Sequence, residues 1–274
     1  MSKKKDGPKV LVFDIETAPM LAYVWGLFDQ NIGLNQIKND WHVLSWSAKW
    51  YENENGDLFG PHNKVMYMDQ KGRKNIEDDK TILKAIWKLL DESDVVITQN
   101  GVRFDRKKLN ARFLMNGMKP PSSYKHIDTL VIAKSKFALT SNKLEYMTDK
   151  LCTKFKKQKH KKFAGFELWR ECLAGNKEAW DEMERYNKYD VLSLEELAQK
   201  LIPWDNSVNF NLYSETEDHV CSCGSTEFKK NGFAYTSTGK FQRHVCLKCG
   251  SEVRDRNNLL TKEKKQSLKI RTTR

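Results

Sequence analysis

Proline and glycine are sparse in this chain, six and fourteen in 274 residues. So few chain breakers exclude collagen-like and low-complexity polymers. No apolar run approaches the ~18–20 residues that a membrane span needs. The basic start, MSKKKDGPK, has no apolar stretch behind it of the kind a secretion signal carries. Six cysteines without such a signal point to a reducing, cytoplasmic setting. Structural disulfides are rare there, and clustered cysteines read as metal ligands. Cation is what the chain has in excess: Lys+Arg is 48 against 36 Asp+Glu, a formal charge of +12. That balance suits a polyanionic partner and says nothing of chemistry. Apolar residues, at 39%, suffice for a core, and the length fits one large domain or a medium one plus a small one.

Hydrophobic patterning predicts strands at Lys9–Ile15, Trp41–Tyr51, Lys64–Asp69 and Val95–Thr98, with a fifth strand or a helix start at His126–Leu130. Helical spacing covers residues 77–91, 104–116, 142–152 and 176–201, and Pro203 stops the last. Three strands with hairpin-like links, then alternating helix and strand, give an α/β fold with a mixed five-stranded sheet flanked by helices. The domain plan has residues 1–8 as a disordered basic leader and 9–203 as the main domain. A linker at 204–216, a cysteine-bearing β module at 217–254 and a basic, extended tail at 255–274 follow. Residues 214–274 hold 13 Lys/Arg and 7 Asp/Glu, half of the charge excess.

Three short segments carry chemistry. Asp14 and Glu16 stand two apart at a strand end, so both carboxylates share one face and repel unless a cation neutralises them. Asp105 opens a helix, where the dipole favours its charge. Tyr186 and Asp190 lie one turn apart on a helix. The runs FDIET (Phe13–Thr17), NGVRFD (Asn100–Asp105) and YNKYD (Tyr186–Asp190) resemble, in order and setting, the three exonuclease motifs of the DEDD (DnaQ-like) superfamily, tyrosine subclass. The stretches VWGLFDQN, WHVLSWSAKWY, IDTL and FELW look like those of stand-alone, often phage-encoded proteins related to the exonuclease domain of family B DNA polymerases.

That resemblance, over residues 9–203, implies a ribonuclease H-like fold and 3′→5′ hydrolysis of DNA with two Mg²⁺ or Mn²⁺ ions in a bacterial cytoplasm. Asp14, Glu16, Asp105 and Asp190 would hold the ions, and Tyr186 would orient or deprotonate the attacking water. Substrate contacts are expected from Thr17, Trp25 (with Phe28), Asn100, Phe104, Lys157 and His160; the last two lie in the lysine-rich run Lys154–Lys162. The tryptophans at 41, 46 and 50 read as core, and Cys152 and Cys172 as buried apolar residues. Single-stranded or frayed 3′ ends are the expected substrate, with a replication or recombination protein as a further partner. Hydrolysis of RNA, or binding without catalysis, stands as the alternative.

Cys221-x-Cys223 and Cys246-x-x-Cys249, 22 residues apart, have the ligand count of a tetrahedral Zn²⁺ site, and a glycine follows each pair. The short first pair leaves room for His219 or His244 to replace a thiolate. With a hairpin between the pairs, the module resembles the DNA-binding zinc ribbons of some transposases. Lys229, Lys230, Lys240 and Arg243 would give it a basic face.

Overall fold

The computed structural model describes residues 7–158, 162–207, 209–213 and 217–270. The strands are β1 (Val10–Thr17), β2 (Leu21–Ala22), β3 (Ile37–Asn39), β4 (Val43–Trp50), β5 (Met66–Asp69), β6 (Val95–Thr98) and β7 (Lys125–Asp128), then β8 (Phe228–Thr236), β9 (Gly239–Cys246) and β10 (Glu252–Arg254). The helices are α1 (Lys80–Glu92), α2 (Asp105–Met115), α3 (Thr129–Lys136), α4 (Leu144–Leu151), α5 (Glu167–Leu173), α6 (Lys177–Leu201) and α7 (Lys262–Ser267). No helix is long and apolar enough to cross a membrane among the described residues.

The main sheet runs β5-β4-β1-β6-β7. Its central strand, β1, is antiparallel to β4 and parallel to β6, so the sheet is mixed as the pattern predicts. Alternation along β1 decides which helices cover which side. Leu11, Phe13 and Ile15 pack with Ile82, Leu83 and Ile86 of α1 and with Leu109 and Phe113 of α2. Val10 and Val12 face the other way, onto Val191, Leu194 and Leu197 of α6. Asp14 and Glu16 continue that second row, so strand parity aims both carboxylates at α6.

Helix α6 is 25 residues long, capped at its start by the Asn176 side chain, which accepts from Glu178 N–H. It lies across β4 through buried polar contacts. Lys49 and Glu195 form a buried ion pair at 2.6 Å, and Ser45 Oγ donates to Asn187 Oδ1 at 3.4 Å. Removing either member of that ion pair would strand the other in a poorly hydrated layer.

A smaller three-stranded sheet, β10-β9-β8, forms the cysteine-bearing module. Two expectations need correction. Trp46 and Trp50 are core, but Trp41 is half-buried, with the Lys108 ammonium 3.6 Å above its ring. The tail is not wholly extended: α7 forms because Thr261 Oγ1 caps it by accepting from Lys264 N–H. The hairpin of β2 and β3 and the short α5 escaped the pattern reading, their lengths being too small for a period to register.

His126 on β7 shares a 2.7 Å hydrogen bond between its Nε2 and Thr98 Oγ1. Burial holds its pKa down to about 4, Asp128 pulling weakly the other way. The folded state keeps this ring neutral where the unfolded chain takes up a proton near pH 6.5. Its stabilising contribution is therefore full above that pH and is lost as the pH falls toward 4. Thermal melts should show wild type losing more stability than His126→Gln over this window. Parallel pH profiles for the two proteins would rule this out.

Candidate active site and metal centres

The carboxylates of Asp14, Glu16 and Asp190 converge, with one oxygen from each lying within 4.8 Å of the others. Two come from β1 and the third from α6, and the parity of β1 explains the meeting. Asp14 and Glu16 open partly to solvent, yet the protein surrounds them closely enough to disfavour charge. Burial raises the Asp14 pKa well above the usual carboxylate range, and Asp105, Glu16 and Asp190 add to the rise while Lys157 opposes it. Glu16 is pushed up to about 8 by burial and then by Asp190, against Lys157 and a hydrogen bond from Trp169. Three acids that cannot all ionise comfortably are a set that a divalent cation would relieve, and their hard oxygen donors suit Mg²⁺ or Mn²⁺.

Asp105 stands apart from that trio. It is buried at the first turn of α2, and its Oδ1 accepts from the Ile15 N–H at 3.2 Å, tying α2 to β1 between the two acids. Its pKa is raised to about 7 by burial, against backbone donors at Asp105 and Ile15. The loop before it is held by Asp128, whose carboxylate accepts from the N–H groups of Asn100 (2.9 Å) and Val102 (3.0 Å) while capping α3. Asn100 takes a left-handed conformation, φ 66°. Gly101 has no room for a side chain: a Cβ there would lie 2.2 Å from Thr98 Oγ1. Phe104 remains partly exposed.

Lys157 reaches into the acids, its Nζ 2.6 Å from Asp190 Oδ2 and 4.6 Å from the centre of the Tyr186 ring. Glu196 positions it. That carboxylate accepts from the backbone N–H groups of Thr153, Lys154 and Phe155, anchoring the start of the lysine-rich run on α6. Burial would raise the Glu196 pKa, but these donors outweigh it and hold the group low. The phenol of Tyr186 is pushed above its ordinary value by burial and by Asp190, so it stays protonated at neutral pH. Its ring meets Trp169 edge-on, centroids 6.3 Å apart.

Beside the acids lies an open groove of about 530 Å³, bounded by Thr17, Met20, Trp41, Lys108, Phe166 and Trp169. Thr17 stands at one edge of this groove. Trp25 is 97% exposed on the loop between β2 and β3, away from the groove lining. His160 lies outside the described residues.

Asn187, Glu196 and Asp128 were missed by motif reading. Asn187 Nδ2 donates to Asp14 Oδ2 at 2.6 Å and is wholly buried. It fixes one oxygen of Asp14. Its signal was faint: a polar residue beside Tyr186, turned toward the sheet by helical geometry.

The four cysteines of the small module also converge. Cys221 and Cys249 sulfurs are 3.5 Å apart, and Cys223 and Cys246 sulfurs 3.6 Å. All four fall within one ligand-sized cluster that could hold Zn²⁺. Burial opposes ionisation of Cys246, but N–H groups of Cys249 and Lys248 face its sulfur and bring its pKa down to about 7. His219 packs on Phe228 and His244 lies 3.0 Å from Asp255, so neither joins the cluster. Cys152 and Cys172 are buried elsewhere, each thiol pushed up to about 12 chiefly by burial.

The basic face read from sequence is divided. Register pairs Lys230 with His244 and Tyr235 with Lys240 on one side of the small sheet; Lys229 pairs with Val245 on the other. Arg243 lies on that second side, where it donates to Asn231 O and sits 3.6 Å from Glu252.

The family profile RNase_H_2, of the RNase_H superfamily, matches residues 57–202, more than half of the chain. The fold is also similar to that of the family B DNA polymerase from the hyperthermophilic archaeon Pyrobaculum calidifontis. Identity is 16% and the TM-score 0.48, over 72% of this chain and 25% of the polymerase chain. The chain thus spans about a quarter of that protein's length. No curated protein sequence matches it.

Proposed function

Because the chain belongs to the RNase H superfamily, we propose that its acidic cleft is the active site of a divalent-metal-dependent nuclease that removes nucleotides from the 3′ end of DNA. The observation that carries this reading is the meeting of Asp14, Glu16 and Asp190 within 4.8 Å, with Tyr186 and Lys157 beside them. The resemblance of the three acidic segments to exonuclease motifs supports the polarity of digestion and the preference for single-stranded ends.

Asp14, Glu16 and Asp190 would hold Mg²⁺ or Mn²⁺, and Asp105, tied to the backbone between the first two, would support a second ion. When bound, such ions make a nucleophile of water at neutral pH and stabilise the attacking and leaving oxygens of an in-line displacement. The chain's own groups do the rest. Asn187 orients Asp14, and Trp169 hydrogen-bonds Glu16. The protonated phenol of Tyr186 orients the attacking water through its hydroxyl, since its raised pKa argues against proton removal. Lys157, a retained cation at the same place, would meet the scissile phosphate once the acids are neutralised. Thr17 and the aromatic groove would receive the terminal nucleotide. A Zn²⁺ on Cys221, Cys223, Cys246 and Cys249 would be structural, four thiolates leaving no open position.

The test is a time course on a single-stranded DNA labelled at its 5′ end, with Mg²⁺, Mn²⁺ or chelator, for wild type and Asp190→Ala. A metal-dependent ladder that shortens from the 3′ end, and that the variant fails to make, is expected. Digestion from the other end, undiminished cutting by Asp190→Ala, or faster loss of a matched RNA would each overturn part of the reading.

A further inference from the structure

The small sheet has two unlike faces. Phe241 is served by its own chain: the Arg254 guanidinium lies 4.0 Å from its ring centre. The chain after β10 continues along the edge of β9, with Leu259 N–H donating to Lys240 O at 2.7 Å and Asp255 N–H to Gln242 O at 2.9 Å. On the opposite face His219 packs on Phe228 near the cysteines, and the rings farther along stand more open than Phe241. Register sets Phe233 across from Gln242, and Tyr235 across from Lys240. These four side chains and Lys230 share one side. Phe233 is 40% exposed and Tyr235 is 69% exposed. The Lys240 ammonium stands 3.9 Å over the Phe233 ring, and Lys230 is exposed nearby. The carboxylate of Asp255 is turned to His244, at 3.0 Å.

A module this small has little apolar surface to spare, and leaving two large rings in water forgoes burial that its core needs. Rings presented to solvent between ammonium groups make a surface for planar, electron-rich groups on an anionic thread. We propose that this face is a stacking platform for unpaired bases. On it, Phe233 and Tyr235 each take a base, the Lys240 ammonium leaves the Phe233 ring to meet phosphate as Lys230 does, and the ligand is a single nucleic-acid strand rather than a duplex. Spacing supports the choice. Two steps along a strand separate the rings by about 7 Å, twice the ~3.4 Å per nucleotide of a stacked helix. Only a strand drawn out of its stack can seat neighbouring bases on both rings, and a duplex keeps its base faces inside. The inference rests on nucleic acid being the substrate class of the catalytic cleft, and it gives the module a task separate from cleavage.

The experiment uses the full chain, zinc-loaded and carrying Asp190→Ala so that nothing is cut. Binding of a labelled oligothymidine of about 15 nucleotides is compared with binding of a blunt hairpin duplex. Phe233→Ala with Tyr235→Ala should weaken single-strand binding by about tenfold or more and leave duplex binding unchanged. The dependence of affinity on salt should keep its slope, because no charge is lost, whereas Lys230→Gln with Lys240→Gln should flatten it. Replacing both rings by tryptophan should restore affinity, which a merely misfolded module would not allow. In the wild-type chain, photocrosslinking to a bromouracil-substituted strand should map to peptides holding Phe233 or Tyr235. Unchanged single-strand binding, an equal loss on duplex, or crosslinks confined to other regions would overturn the proposal. Binding is read without hydrolysis, so a chain that shows this pattern but cuts nothing would refute the nuclease reading alone.

Discussion

Asp14→Asn is expected to abolish cleavage and, in the absence of Mg²⁺, to stabilise the fold. The two effects have one cause. Asp14 is crowded by Glu16, Asp190 and Asp105, and burial together with those charges raises its pKa. Its ionised form is therefore costly at neutral pH unless a cation is present. An amide keeps the shape and can still accept the Asn187 hydrogen bond that now runs to Oδ2. It removes one negative charge from the cluster, which relieves Glu16 and Asp190. The sign with pH follows from the raised pKa: the wild-type penalty is absent at acid pH, where the carboxyl is protonated, and grows as the pH rises. Melting curves recorded with zinc retained and no other divalent cation should therefore separate more at pH 8 than at pH 5, the variant higher. Each kcal/mol of relief appears as about 2–4 °C in a chain of this size. Added Mg²⁺ should raise the wild-type melting temperature and leave the variant nearly unmoved. Hydrolysis should fall by about a thousandfold or more. A variant that melts below wild type without Mg²⁺, or that keeps the Mg²⁺ shift, would mean that the three carboxylates are not a cation site.

That trade of stability for function separates what was legible in the sequence from what was not. The face shared by Asp14 and Glu16 follows from strand parity alone, and the pairing of Tyr186 with Asp190 from one helical turn. The main sheet and α6 were readable because buried strands and long helices impose periods on many residues at once. Asn187 was not readable, because its task depends on how α6 is rotated against β1, a matter of packing between elements far apart in sequence. Glu196 is a similar case. On α6 it looks like one more surface acid, yet it gathers three backbone N–H groups from residues 153–155 and so aims Lys157. The division of the ribbon lysines follows from strand parity, but the side taken by Phe233 and Tyr235 does not: the pairing shifts between Lys230 and Phe233, and a shift of that kind reassigns faces.

The junction between the cysteine cluster and the main domain yields the second large effect, expected for Cys246→Ser. Asn53-Glu54-Asn55-Gly56 reads in sequence as a turn. In the fold it is also a grip: Asn53 and Asn55 both donate side-chain N–H groups to Cys223 O, at 2.9 and 2.7 Å. The turn is braced behind them, since Asn53 Oδ1 accepts from the N–H groups of Asn55 and Asp57. Gly224, φ +83°, fits so closely that a Cβ would lie 2.3 Å from Asp57 Oδ2. The first cysteine knuckle is thus seated on the loop after β4, next to the end of α6, where Gln199 donates to Glu52 O at 2.6 Å. Cys246 is buried in the cluster, and among the described residues no apolar core of comparable size holds the small sheet. In small metal-folded units the metal supplies about 10–16 kcal/mol of apparent folding free energy, so loss of one thiolate should unfold the module while the main domain, with its own core, stands. Native mass spectrometry should show one Zn²⁺ in wild type and none in the variant. Limited proteolysis should open residues 217–270 and spare the segment 9–203. Thermal unfolding followed by tyrosine fluorescence should also change, because Tyr51 packs beside the knuckle, where Cys223 and Cys249 both add to its raised pKa after burial and two glutamates. A wild type that carries no zinc, or a module that resists protease without it, would show that the four sulfurs are packed rather than liganded, and a variant that keeps its zinc would take Cys246 out of the ligand set. Cleavage of a dinucleotide at the wild-type rate by the variant would place the metal of the ribbon outside the chemistry.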